Sequence, residues 1–568
     1  MKRFDKNLRA AFIGVALLAM LGAFNADDKM RKRAAEAING AAYRAHVQSL
    51  AADELEGRSP GSEGARKTIE YVEKEFLQLG LQPAAGGDFR QDVALVEVTG
   101  SGQSLSFSRG GGGMALAPGD DMVINSRRVQ PSASIANSEV VFVGYGIHAP
   151  ELGWDDYAGL DMRGKTALIL VNDPGFVTGD ENLFRGKAMT YHGRWTYKFE
   201  EASRQGAAAA IIIHETAPAS YDWDVVRNSW SGPQFYLNRA DGNAGRTELE
   251  GWITEARARQ LMELAGQDLD ELKAAAVKRG FRPVPLGVAA SGGVGNSIRQ
   301  KRSPNLAGVM PGKDRPDEYV VYMAHWDHLG VDDKLDGDRI YNGAVDNASG
   351  VAGILAIARA YRDMLPGASR SVLFLAVTAE ESGLLGSEYY AEHPLVPLEK
   401  TAAVINLDAL SPLGRATDIE VVGYGASDLE DQLADAARVQ KRTLTPDRRP
   451  EAGYFYRSDH FNFAKAGVPA LYIKSGTRLR DKPEGTGKAL LDDYQAQRYH
   501  KPGDEYSEDW DVSGTVEDLR LLFEVGARVA SEETWPEWRE GNEFRPAREK
   551  SAKSRESGSG AERERDFN

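Results

Sequence analysis

Apolar residues fall along the chain in two rhythms, and the change from one to the other organises it. From Arg31 to Leu81 the rhythm is helical: in EGARKTIEYVEKEFLQLG, Ile69, Val72, Phe76, Leu77 and Leu79 gather near one face before a glycine stop. Between Gly100 and Gly119 the run GSGQSLSFSRGGGGMALAPG is rich in Gly and Ser and reads as a turn-dominated connection. Short apolar runs follow, SEVVFVGYGI and KTALILVND, then an Ala-rich helix, FEEASRQGAAAA, feeding the strand AIIIHE. These runs predict a self-contained small α/β block over residues 131–290. After SPNLAGVMPG, strands and helices alternate: EYVVYMAHWD, SGVAGILAIARAYRDM, SVLFLAVTAEE, GSEYYAEH, AAVINLDAL, IEVVGYG, SDLEDQLADAARVQ, PALYIKS and VEDLRLLFEVGARVASE. That alternation predicts an α/β fold with a doubly wound, mostly parallel central sheet over residues 291–540, to which residues 27–130 add an opening part. The polar, aperiodic end, residues 541–568, is expected to be disordered.

Residues 1–26 pair a basic start with an apolar run from Ala10 to Phe24 that is short for a bilayer span. This is the pattern of an export signal cleaved near Ala23 or Ala26, with an uncleaved anchor as the alternative. The remainder is then expected in a periplasm or secreted, with no other membrane attachment. Hydrophobic residues at 42% and charged residues at 27% are the balance of a globular protein. A net charge of -15 argues against nucleic acid as a partner, because phosphate recognition needs a basic surface. Cysteine is absent, which excludes disulfides, thiolate ligands and a Cys nucleophile; any metal must be held by His, Asp and Glu.

The apolar run SVLFLAV ends in TAEE, where two adjacent carboxylates, Glu380 and Glu381, close a buried strand. Unpaired carboxylates in an interior are costly, so the pair demands a partner. Ligands of an open parallel sheet bind at the carboxyl ends of its strands. His325 and Asp327 end one strand of the alternation, Glu380 and Glu381 the next and Asp408 the one after, while Asp346 opens a helix on the same rim and His500 follows a long loop. Alone, Asp346 is as readily a helix cap, and the Glu pair a helix first turn. Together they suit two Zn²⁺ ions: His325 and Asp408 for one, Glu381 and His500 for the other, Asp346 between them, and Glu380 free as a base. His46, His148, His192, His214 and His393 carry no ligand spacing, and Asp459 with His460 reads as a loop-fixing pair.

In this order the motifs AHWDHLG, GAVDNASG, TAEESGLLGS, NLDALS, RSDHFNFAKAGVPAL and YHKPGDE resemble the co-catalytic dizinc exopeptidases of metallopeptidase family twenty-eight, the bacterial leucyl aminopeptidase and glutamate carboxypeptidase type. LAADELEGRSPGSEGARKTIEYVEKEF is similar to the family's opening helix, and residues 131–290 to the protease-associated domain often inserted there. The resemblance implies two Zn²⁺ ions on the same five ligands and Glu380 as general acid and base. It further implies that Asp327 accepts a hydrogen bond from the other nitrogen of His325 and fixes its tautomer, and that Tyr499, or Tyr456 in its place, donates to the developing oxyanion; the Asp346–Asn347 peptide is often cis in the family, which a sequence does not show. His328 departs from the family, where a small residue is common. The substrate implied is a peptide or dipeptide cut at its N-terminus. Alternatives are a carboxypeptidase, in which Arg457 or Arg478 meets the substrate carboxylate, a one-metal glutaminyl cyclase relative, and a non-catalytic transferrin-receptor-like binding protein. Oligomeric state is not legible.

Overall fold

The computed structural model describes residues 28–553 and 555, apart from residues 85 and 365. The expected export segment lies outside the described residues. The chain divides into two units, one of Met1–Asp92, Pro304–Pro446 and Ser458–Asn568, the other of Val93–Ser303 and Asp447–Arg457.

In the first unit the helical stretch before residue 81 is broken into pieces, among them α1 (Gly40–Leu50) and α2 (Glu63–Gln78). Ser62 caps α2, accepting the Ala65 N–H at 3.0 Å, and Ile69, Val72 and Phe76 face inward. Leu77, expected on that face, is 65% exposed, because it lies one residue round the helix from fully buried Phe76. The sheet comprises β1 (residues 306–310), β2 (Arg315–His325), β3 (Arg370–Val377), β4 (Thr401–Asn406), β5 (Asp418–Val421), β6 (Thr443–Pro446) and β7 (Ala470–Ser475). Its order is β6-β5-β7-β4-β2-β3-β1. Pairs β2–β3, β2–β4, β4–β7 and β5–β6 are parallel, and β1–β3 and β5–β7 antiparallel. Every residue of β3 and β4 is buried, as their unbroken apolar runs demand of strands covered on both faces.

Register does the positioning. His325 of β2 pairs with Val377 of β3, and Met323 of β2 with Asn406 of β4. The residues that follow each strand therefore emerge on one rim. The helices α3 (Ser349–Asp363) and α4 (Ser513–Ser531) pack against β2 with nearly all their apolar residues buried. Tyr322 of β2 stacks on Phe374 of β3 and donates its hydroxyl to the Leu522 carbonyl of α4 at 3.0 Å. This close approach depends on Gly526, where an added Cβ would lie 1.9 Å from the Tyr322 hydroxyl. Gly526→Ala should therefore destabilise the protein by about 1–3 kcal/mol through overpacking, read as a lowered midpoint in urea.

The second unit carries a parallel run of strands, Ser132–Phe142, Thr166–Leu170, Ala209–His214 and Leu249–Thr254, with Met122–Asn125 antiparallel at the end. It starts well before residue 131. The Gly-rich stretch 100–119 is not mainly a turn: Arg90–Arg109 and Gly112–Leu116 form a hairpin pairing Leu105 with Leu116. Leu105 and Phe107 alternate inward, and Gly110, at φ 56°, supplies the left-handed turn. The C-terminal segment also differs from expectation. Residues 545–553 are helical, and buried Arg548 donates to the carbonyls of Thr401, Ala402 and Pro536. Its charge hid an anchoring role that a polar count could not show. Among the described residues no helix is long and apolar enough to cross a membrane.

Candidate metal centre

The rim of the first unit gathers the expected ligands. His325, the last residue of β2, is 1% exposed and places Nε2 3.2 Å from Asp346 Oδ1 and 3.5 Å from Asp408 Oδ1. His500 Nε2 lies 3.2 Å from Asp346 Oδ2 and 3.2 Å from Glu381 Oε2. Asp346 thus divides its two oxygens between two clusters, one with His325 and Asp408, the other with His500 and Glu381. Ligand atoms of His325, Asp346 and Glu381 lie within 4.8 Å of one another, as do those of His325, Glu380 and Asp408.

Each ligand is held by its own support. Asp346 sits in the loop before α3, at a cis Asp346–Asn347 peptide. Its N–H and that of Val345 both donate to the Asp504 carboxylate at 3.0 Å. Asn347 ties this loop to the end of β4, donating to the Leu407 carbonyl at 3.0 Å and accepting from the Ala409 N–H at 3.2 Å. Asp408 Oδ2 accepts from the Ser458 hydroxyl at 2.6 Å, which in turn accepts from Asn406 Nδ2 at 2.6 Å. Arg58, fully buried, donates to the carbonyls of Leu50, Trp326, Asn342 and Gly343 and so links the β2 end to the Asp346 loop. Arg58, Ser458 and Asp504 escaped the sequence reading, and His328 was visible there only as a departure from the family; GRSPGSEG, SDH and PGDE were visible, but nothing in their spacing pointed to these contacts.

Asp327 fixes the His325 tautomer, but through its main chain. The Asp327 carboxylate does not bond His325: its Oδ1 is 3.8 Å from Nδ1 and is taken by the Glu380 N–H at 3.1 Å. The Asp327 backbone carbonyl, 3.1 Å from Nδ1, receives that proton and fixes the tautomer. Tyr499 stacks on His500 with ring centroids 3.9 Å apart and is 38% exposed. Tyr456 belongs to the other unit, beside Tyr191, as does Arg457. Arg478 is engaged elsewhere, with Nη2 3.0 Å from Thr443 Oγ1 and Nε 3.6 Å from Asp418. Asp459 accepts from the Ser387 hydroxyl at 2.6 Å, a loop contact.

The donor set fits divalent zinc: two imidazoles and three carboxylates on one rim, with His325 and Asp346 buried, His500 on the solvent side, and His325 Nε2 lacking any hydrogen-bond partner. The cluster also draws positive charge to itself. Burial lowers the His500 pKa, but Glu381 and Asp346 override it and raise it to about 9. Burial lifts Glu380 well above the usual carboxylate range, opposed by His325 and reinforced by Glu381 and Asp408.

Residues 305–523 match the description Peptidase family M28. The chain is 35% identical over 146 residues to the Aminopeptidase NAALADL1 of Mus musculus, covering 24% of this chain and 18% of that one. It is 33% identical over 388 residues to a Glutamate carboxypeptidase 2 homolog of Caenorhabditis elegans, covering 60% of this chain and 46% of that one. It thus spans less than half the length of these relatives. A solved aminopeptidase from Aneurinibacillus sp. strain AM-1 superposes with a TM-score of 0.48 at 20% identity, covering 90% of this chain and 97% of the other. The match to Peptidase family M28 thus falls on residues 305–523, the stretch that carries every residue of the cluster described above.

Proposed function

We propose that this protein is an exported zinc-dependent exopeptidase that removes residues from the N-terminus of peptides, holding two zinc ions per chain. The observation that carries the reading is the division of Asp346 between His325 and His500 at 3.2 Å each, the arrangement a carboxylate shared by two cations requires. Export rests on the basic and apolar pattern of residues 1–26, and residues 131–290, within the second unit, are read as the protease-associated insertion. His325 and Asp408 would hold one ion, His500 and Glu381 the other. Bound there, zinc supplies Lewis-acid polarisation of the scissile carbonyl and lowers the pKa of water.

The protein's own groups complete the chemistry. Glu380, beside ligand Glu381, is fixed by its N–H on Asp327. Its raised proton affinity suits a group that takes a proton from the attacking water and returns it to the departing amine. Tyr499, whose phenol burial and the neighbouring Asp346 and Glu381 keep protonated, donates toward the carbonyl oxygen as charge develops there. A free substrate α-ammonium finds carboxylates on this rim, whereas Arg478, which a carboxypeptidase could use, is committed to Asp418 and Thr443. The similarity to a glutamate carboxypeptidase homologue keeps that activity as the second reading.

Zinc content per chain should be two, against one for a cyclase relative and none for a non-catalytic binder. Aminoacyl anilides and free dipeptides should be hydrolysed, and a chelator should abolish turnover. Cleavage of peptides with blocked N-termini would overturn the aminopeptidase assignment.

A further inference from the structure

His328 follows Asp327 at the end of β2, and nothing in the zinc chemistry above calls for it. Its side chain is fully shielded from solvent, and Nδ1 lies 2.6 Å from Glu381 Oε1. A carboxylate only accepts, so Nδ1 carries the proton. Nε2 is buried and without a hydrogen-bond partner, so the contact to Glu381 is the side chain's polar engagement. The ring is wedged in place: a Cβ on Gly343 would lie 2.6 Å from its Cγ and Cδ2, and the His500 ring centroid is 5.8 Å away. Gly343, at φ 56°, leaves room for the imidazole.

We propose that His328 is a positioning residue that occupies one oxygen of Glu381 and so turns the other, Oε2, toward His500. The two carboxylates that separate the clusters are then oriented by different donors. Ser458 holds Asp408 from one side, and His328 holds Glu381 from the other. Because hydrogen bonds to a ligand set its orientation and basicity, His328 tunes the affinity of the Glu381 and His500 position and leaves the Asp408 and His325 position alone. This rests on the two-zinc reading.

The test is competitive chelator titration of full-length protein reconstituted with zinc, following both equivalents. His328→Ala should weaken one equivalent by about 10–100-fold while the other stays within a few-fold of the unaltered protein. His328→Asn places an amide N–H where Nδ1 stood and should restore near-normal affinity, whereas His328→Gln, whose amide reaches the Nε2 position, should not. Thermal melts of the metal-free variants show whether each is folded before titration. Equal weakening of both equivalents, unchanged binding, or a Gln variant behaving like the Asn variant overturns the proposal. The Asn-against-Gln contrast decides it even where the Ala variant folds poorly. An unaltered protein that binds fewer than two zinc ions fails the two-zinc reading itself and takes this proposal with it. Two ions bound with no response in the variants fails only the role of His328.

Discussion

Glu380→Gln should keep both zinc ions and lose turnover by about 10³-fold, within the usual range for removing a general base. The amide preserves shape and the backbone bond from residue 380 to Asp327 Oδ1, since that bond uses the N–H and not the side chain. What disappears is a group able to accept a proton from water and pass it to the leaving amine. Glu380 also lies within ligand reach of His325 and Asp408, so the experiment decides between two chemistries at one position. Zinc content measured beside steady-state rates on an aminoacyl anilide separates them. Retained metal with lost turnover identifies a proton carrier; lost metal identifies a ligand, and the role would pass to another carboxylate.

Arg58→Met should be the most destabilising single change in the first unit, by about 4 kcal/mol or more, and should abolish zinc binding. The guanidinium is 1% exposed and serves carbonyls from three separate stretches, Leu50, Trp326, and Asn342 with Gly343. Methionine fills much of the volume but leaves these acceptors buried and unpaired, at about 1–3 kcal/mol for each one that water cannot reach. It also removes a cation attracted by Asp504, Asp327, Asp346 and Glu381, which burial alone would make costly to keep. Lysine should not rescue, because one ammonium cannot address the carbonyls that the planar fork spans. Urea denaturation of the metal-free protein measures the effect. A change under about 1 kcal/mol would mean that the loops hold without the arginine.

The contrast between these two residues explains what was legible beforehand. Glu380, like His325 and Asp408, announces itself by ending an unbroken apolar run, because a charge at that point contradicts the strand it terminates. Register then made their convergence predictable, since parallel neighbours end on the same rim. Arg58 shows no such contradiction. Its partner Trp326 is 268 positions away in sequence, and it acts on backbone carbonyls, which every residue possesses. The contact from His325 to Asp327 was expected, but residue type carries no sign that the main-chain carbonyl makes it. In the second unit, glycine content masked a hairpin whose signal was the two-residue alternation of Leu105 and Phe107. At the other end, Arg548 looked like solvent-facing charge until its carbonyl partners were seen.

The short stretch from His500 to Asp504 carries a ligand at one end and, at the other, the carboxylate that holds the main-chain N–H groups of Val345 and Asp346. Any displacement of these five residues withdraws an imidazole and slackens the shared aspartate in the same movement. On the two-zinc reading the two positions are therefore mechanically linked: what pulls this segment away unlatches both together, however unequal their separate affinities.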